Sequence, residues 1–293
     1  MYPLETTFSI GSRSTSCFKY IGLNIKQQVD KSIEVDQNSF AETIQCLDFN
    51  RKCPDSEALS ESEKFNFRSI VGQLNWLSGV TRPDLAFDVC QLSAIAKQST
   101  VADAKVLNKA VKKARSERVT VTYPKLHLEK LKIQRYSDAS YANLPNAGSQ
   151  AGSLVLLSDG TRCAPLQWSS NKLSRVTRST LAAETLALVS CCDSAIYLKK
   201  LVEAALGRPE GSTPIECIVD NKSLHESIHS VNPTSEQRLR VDIAALREMV
   251  IKKEITVIWK EKHHQLADCL TKKGASTQLL TETLQTGFLS TSQ

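Results

Sequence analysis

Apolar residues recur along this chain with two different periods, and the period changes near Pro124. Before it, residues 18–25 and 32–35 are β-like runs, and the polar stretch 26–31 between them predicts a hairpin. Residues 37–47 put Phe40, Ile44 and Leu47 on one helical face. Residues 48–62, with Pro54 and several Ser and acidic residues, read as a loop. Phe67, Ile70, Val71, Leu74 and Leu77 give helix spacing to 65–79. Thr81-Arg82-Pro83-Asp84 then starts a helix, with Pro83 suited to the first turn and Leu85, Val89, Leu92 and Ala96 as its apolar stripe. A third helix covers 102–115.

After Pro124 short strands alternate with helices. Strands are predicted at 131–137, 152–157 and 162–168, the last two joined through Ser158-Asp159-Gly160, where Asp-Gly favours a tight turn. A long helix over 179–206 ends at Gly207, with Pro209 beyond it. A strand at 215–220 precedes a short helix, 221–229, that must stop before Pro233. Residues 235–251 form an amphipathic helix with Leu239, Ile243, Leu246 and Val250 inward, followed by a strand at 254–259 and a final helix from 265 to about 283. A meander followed by alternating helix and strand predicts an α/β fold, a mixed sheet covered by helices. The expected division is a mostly helical region over 1–125 and an α/β domain over 130–280.

Bulk properties change this picture little. A chain of 293 residues with 41% apolar content has room for two domains. The formal charge of +6 is compatible with an anionic partner without requiring one. The nine cysteines include no C-x-x-C pair, so reduced, buried thiols are expected rather than a zinc ribbon. Residues 1–16 are rich in Ser and Thr and expected to be poorly ordered, and 1–10 lack the charged and apolar segments of a signal peptide. No apolar run is expected to span a bilayer, which reads as a soluble, intracellular protein without a membrane partner.

Four carboxylates sit in awkward places. Glu184 is the sole charge between Arg178 and Asp193 and shares a helical face with Leu181 and Leu188. Such a group needs a compensating cation or a raised pKa, unless it serves as a first-turn dipole partner. Asp220 ends an apolar strand, where α/β sheets gather ligands or where a helix cap is needed. Asp138 follows the strand ending in Tyr136-Ser137 and reads equally as a turn residue. Asp268 lies near the start of the last helix, another dipole position. Taken together, they supply one acid per element, as paired divalent metals require of oxygen ligands converging from several elements.

At these residues the sequence resembles the ribonuclease H domain of copia-type retrotransposon polyproteins. The resemblance rests on Tyr136-Ser137-Asp138-Ala139-Ser140-Tyr141-Ala142-Asn143, Trp168-Ser169-Ser170-Asn171-Lys172, Ser179-Thr180-Leu181-Ala182-Ala183-Glu184, Val219-Asp220-Asn221-Lys222-Ser223 and His264-Gln265-Leu266-Ala267-Asp268-Cys269-Leu270-Thr271-Lys272. It implies a ribonuclease H-like five-stranded mixed sheet and hydrolysis of the RNA strand of RNA–DNA hybrids. Asp138, Glu184, Asp220 and Asp268 would hold two Mg²⁺ ions, or Mn²⁺ in their place. His263 and His264 are the candidates for an additional catalytic imidazole, with His264 inside the matching motif. Asn143, Asn171, Lys172 and Asn221 are the implied nucleic-acid contacts.

The front half resembles the tail of the neighbouring reverse transcriptase, through Phe18-Lys19-Tyr20-Ile21-Gly22-Leu23, Arg68-Ser69-Ile70-Val71-Gly72-Gln73-Leu74-Asn75-Trp76-Leu77 and Thr81-Arg82-Pro83-Asp84. That implies thumb and connection elements beside a palm and fingers that this chain lacks. Polymerase chemistry needs a Tyr-x-Asp-Asp turn, and the chain has no Asp-Asp pair, so reverse transcription by this fragment is not expected. The implied partners are an RNA–DNA hybrid and the rest of a Pol polyprotein. The implied location is the cytoplasm, within virus-like particles, or the nucleus. A catalytically silent binding remnant is the alternative reading.

Two further features lie outside that assignment. Lys105, Lys109, Lys112, Lys113 and Arg115 make the 102–115 helix basic, either as a phosphate-contacting face or as a solvated one. His225-Glu226-Ser227-Ile228-His229 satisfies the H-E-x-x-H zinc-protease pattern, though on a short helix and without a motif that supplies a third ligand.

Overall fold

The computed structural model describes residues 16–49, 53–232, 234 and 236–289. The polar stretch 1–15, with its expected disorder and lack of a signal peptide, lies outside the described residues.

The front part is less purely helical than its sequence suggests. It carries a four-stranded antiparallel sheet in the order β1 (Ser16–Tyr20), β2 (Leu23–Gln27), β3 (Ile33–Asp36) and β4 (Thr120–Tyr123). The run 18–25 is not one strand. Ile21 and Gly22 adopt left-handed φ values of 47° and 77°, which turn β1 back onto β2 in a two-residue hairpin. The second hairpin, β2 to β3, falls where the polar stretch predicts it.

The helix expected over 37–47 is shorter, α1 (Asn38–Thr43). Beyond it Ile44 and Leu47 are still buried, on extended chain. The Asn108 side chain accepts from the Leu47 amide at 2.7 Å and donates to its carbonyl at 2.9 Å, which takes the place of helical bonds. The helices α2 (Glu61–Val80), α3 (Ala86–Ile95) and α4 (Val101–Ser116) pack around Phe67, Leu74, Leu92 and Leu107. Ser60 with Glu63 and Thr100 with Asp103 form capping boxes that start α2 and α4. Arg82 is buried where these helices meet. It donates to both oxygens of Asp84, at 2.8 and 2.9 Å, and to the Ala114 and Glu117 carbonyls at 3.0 and 2.8 Å.

The second part is the expected α/β layer. Its five-stranded mixed sheet runs in the order β7-β6-β5-β8-β9, with β5 (Lys132–Leu144), β6 (Gly148–Ser158), β7 (Cys163–Lys172), β8 (Ile215–Val219) and β9 (Thr256–Trp259). β5, β6 and β7 form the antiparallel meander, and β8 and β9 pair parallel. On one face lie α5 (Thr180–Ala205), α6 (Lys222–His229) and α7 (Arg240–Ile251), around Ile133, Leu188, Ile215 and Leu246. On the other lies α8 (Gln278–Thr286), against Tyr136, Leu154 and Leu156.

Three expectations change here. β5 runs on past Ser137 to Leu144, so Asp138 is inside a strand and not in a turn. The last helix does not begin at 265. Single 3₁₀ turns at Lys262–His264 and Asp268–Leu270 come first, and Asp268 opens the second of them, well before α8. By length and hydropathy α5 does meet the requirements of a membrane-spanning helix, contrary to expectation, but its inward face, including Ala183, Ala187, Leu188 and Cys192, is buried against the sheet.

The two parts touch. The Trp168 indole on β7 donates to the Ser78 carbonyl of α2 at 2.7 Å, and Gln91 of α3 donates to Gln150 of β6 at 3.3 Å. The Thr122 hydroxyl on β4 donates to the Gln285 carbonyl at the end of α8, at 2.6 Å. All nine cysteines are free thiols, and Cys163, Cys191, Cys192, Cys217 and Cys269 are buried.

Candidate active site

Strand register builds the site. β5 and β8 run parallel with Tyr136 opposite Ile218, so Asp138 and Asp220, each two residues further on, come out level, Asp138 midway along β5 and Asp220 just past the carboxyl end of β8. Residues Ile133, Arg135 and Ala139 of β5 face α5, whereas Tyr136 faces the α8 side. Asp138 has the parity of Tyr136 and meets the chain that leads to α8. Glu184 enters from the first turns of α5. Ser179 caps that helix by accepting from the Ala182 amide at 3.0 Å, and Ala139, Ala183 and Ala187 form a small-residue contact that lets α5 approach β5.

Ligand oxygens of Asp138, Glu184 and Asp220 all lie within 4.8 Å of one another. Asp138 and Glu184 are buried, at 1% and 4% exposure, which is far from where carboxylates usually sit. Burial pushes the Glu184 carboxyl well above its usual value, and the charges of Asp138 and Asp220 push it further. Asp220 is raised for the same reasons, burial first and then Asp138. The Glu184 Oε2 atom is buried with no hydrogen-bond partner. An orphaned carboxylate oxygen facing two more carboxylates is a poor arrangement for a protein alone and a fitting one for a hard divalent cation with oxygen ligands.

The fourth acid is connected differently. Asp268 is not among the three that converge. It pairs with the Lys272 ammonium, which also reaches Asp138 Oδ2 at 3.4 Å, and it lies 3.9 Å from Lys262. Burial opposes the charge on Lys272, but Asp138 and Asp268 outweigh it and raise the pKa above the usual value.

The segment that carries Asp268 is clamped to the sheet at several points. Gln265 donates to the Ser137 carbonyl at 2.9 Å, Ser170 to the Leu270 carbonyl at 2.6 Å, and Asn143 to the Thr271 carbonyl at 2.8 Å. The Thr271 hydroxyl donates to Asp138 Oδ2. Directly opposite Asp138 on β6 is Gly152. A Cβ there would fall 2.7 Å from Leu270 Cβ and 2.8 Å from Thr271 Cγ2, so this position must be glycine for the turn to lie against the sheet.

The His263 and His264 rings lie 3.9 Å apart, yet they line different cavities. His263 lines a cavity of about 660 Å³ together with Asp268, Gln265 and Lys262, and stands 3.4 Å from Glu261. His264 lines a separate cavity of about 530 Å³ with Lys132, Glu216 and Lys260. Burial, then His263 and Lys260, hold its imidazole below the usual value.

Of the other named residues, Asn171 and Lys172 are exposed at the end of β7. The Asn221 side chain caps α6 by accepting from Leu224 at 2.9 Å, and Asn143 is engaged with Thr271 as described. In the H-E-x-x-H segment the His225 and His229 rings are 4.3 Å apart, and Glu226 pairs with Lys222 at 3.8 Å. Among the described residues no third His, Cys, Asp or Glu joins those imidazoles, and the Asp138–Glu184–Asp220 group is the only cluster of its kind.

Thr271 and Lys272 lie within the motif around Asp268, but their roles show only in their contacts with Asp138. The spacing of Lys272, four residues after Asp268, is the signal that could have found it. Gly152 carried a weaker signal, a lone glycine in a strand pattern.

Against known proteins, no family model matches the chain. It is 28% identical over 215 residues to the retrovirus-related Pol polyproteins from transposons RE1 and RE2 of Arabidopsis thaliana. The match covers 70% of this chain but 14% of each polyprotein. Among solved structures it is similar to the N-terminal ribonuclease H domain of a Mycobacterium tuberculosis protein, at 19% identity and a TM-score of 0.37, covering 48% of this chain and 91% of that one. LC11-RNase H1 in complex with an RNA/DNA hybrid gives 16% identity and 0.37, covering 48% and 94%. The foamy viral protease–reverse transcriptase in complex with an RNA/DNA hybrid gives 14% identity and 0.44, covering 89% of this chain and 31% of that one.

Proposed function

We propose that this chain is the ribonuclease H portion of a copia-type retroelement Pol polyprotein, hydrolysing the RNA strand of RNA–DNA hybrids with divalent metal. One observation carries the reading: Asp138, Glu184 and Asp220 converge where β8 ends beside the middle of β5, with a buried Glu184 oxygen that no protein group satisfies. The sequence similarity to two retrotransposon Pol polyproteins agrees with it.

In this reading Asp138, Glu184 and Asp220 hold Mg²⁺, with Mn²⁺ as a substitute, and Asp268 completes the set from the clamped turn. Metal bound there supplies Lewis acidity toward water and the scissile phosphate. Thr271 fixes the Asp138 carboxylate by donating to it. Lys172 and Asn171 are exposed at the strand end, where they would meet the phosphate backbone. The Asn221 side-chain oxygen is taken by the α6 cap, so its contact with a hybrid would come through its amide nitrogen. His263, beside Asp268 in one cavity, is a stronger candidate for an auxiliary imidazole than His264. The protein would act inside the cell, alongside the remainder of its polyprotein.

The test is cleavage of an end-labelled RNA–DNA hybrid with Mg²⁺. Asp220→Asn is expected to lose more than about 100-fold in rate, beyond what loss of an outer-sphere partner costs. His225→Ala, on the H-E-x-x-H helix, is expected to cleave as the unaltered chain does. Folded protein that binds hybrid and never cuts it would overturn the assignment in favour of a silent binding remnant.

A further inference from the structure

The cluster crowds three acidic side chains to within 4.8 Å of one another, two of them buried. Something must offset its repulsion, and Lys272 is the cation in contact with it. Its ammonium touches two acids from different elements, Asp138 on β5 and Asp268 on the 3₁₀ turn, and its side chain is one-third exposed. Its field also reaches Glu184 and Asp220 and opposes the rise in both. The clamps from Gln265, Ser170 and Asn143 fix the backbone under Lys272, so the ammonium is held near the cluster by more than its own ion pairs.

We propose that Lys272 is an internal counter-ion that stands in for divalent metal: it holds Asp138 and Asp268 together in the metal-free protein and competes with the incoming cation for their oxygens. The inference rests on the metal-binding reading above. Lys272 is a positioning residue in this account. The acids are kept in place before metal arrives, and metal uptake is an exchange in which a long, flexible side chain swings out toward solvent as the cation enters. The cost is affinity, because a positive charge within ion-pair distance of the ligands repels a second positive charge.

The exchange is read by calorimetric titration of the full chain with Mn²⁺, without nucleic acid, alongside thermal melts with and without the ion. Lys272→Met and the more polar Lys272→Gln are both expected to bind Mn²⁺ about tenfold tighter, the result of removing roughly 1.4 kcal/mol of repulsion. Both should melt lower than the unaltered chain in chelator and show a larger rise in Tm with metal. Lys272→Arg, which keeps the charge, should stay within about threefold of the unaltered affinity, well under that tenfold step. Neutral variants that bind Mn²⁺ equally or more weakly, while the unaltered chain binds it, would overturn the counter-ion role and leave the metal site standing. If none of the proteins takes up Mn²⁺, the metal-binding reading falls and this one with it.

Discussion

A single carboxyl shows most directly what this site demands of its fold. Glu184 is forced up from its ordinary 4.5 by burial, then by Asp138 and Asp220. The folded chain therefore holds this proton more tightly than the unfolded chain does. Below the unfolded value both forms are protonated and the group contributes nothing. As pH rises the folded state is penalised progressively, and the penalty is complete above the raised folded value. In chelator, the unaltered protein is expected to lose stability relative to Glu184→Gln as pH climbs from 4.5 toward neutrality. Each unit of upward shift corresponds to about 1.4 kcal/mol. Thermal melts of both proteins across a pH series measure this, and a gap between them that stays constant with pH would refute it. The awkwardness of Glu184 was legible in the sequence, since a lone charge on the Leu181–Leu188 face stands out. Its partners were not. That Asp138 and Asp220 come out level depends on the parallel register of β5 and β8, which no local pattern encodes.

Among the elements, periodicity succeeded where packing agreed with it and failed where a long-range contact replaced local bonds. The helices α4 and α5 start within a residue of their expected positions, at caps Thr100 and Ser179, whereas α2 starts four residues early because the Ser60–Glu63 capping box lies in a stretch that reads as loop. The run 265–283 misleads. Leu266, Ala267, Cys269 and Leu270 are all buried and look like a helix face, yet Gly274 takes φ +71° and the segment is pinned to β5 and β7 by side chains, so a single 3₁₀ turn at Asp268–Leu270 forms there and the helix proper starts only at Gln278. α1 ends early in the same way, under the grip of Asn108. This pinned turn gives a test at the scale of the element. Gly152→Ala should push the 268–270 turn off β6, costing about 1–3 kcal/mol as overpacking does. It should also loosen the contacts of Thr271 and Lys272 with Asp138. Gly72→Ala, with nothing within 4 Å of its new methyl, should instead stabilise α2 by about 0.5–1 kcal/mol. Urea melts of the pair decide it: equal midpoints would show that the close approach at Gly152 does not matter.

For the whole molecule, the change of period at Pro124 falls between β4 and β5, and the parts on either side of it are extensively attached. The expected limit at residue 280 falls inside α8, and the expected helical front part contains a sheet whose last strand, β4, leans on that helix. Sheet pairing between β3 and β4 joins residues far apart in sequence, which is why short-range patterning missed β4 altogether. The interface is spread over both ends of the second part: Trp168 and Gln150 meet α2 and α3, while Gln285 meets Thr122 and Arg118. Peptide continuity through 124–131 is thus a small share of what keeps the halves together. A protease that severs only that connector is expected to yield two polypeptides that travel as one particle in gel filtration and separate only in denaturant. Fragments eluting apart in native buffer would show the interface too weak to hold. If they stay together, the severed protein is a ready two-piece system, in which a front half bearing any chosen change can be exchanged against an untouched α/β half in solution.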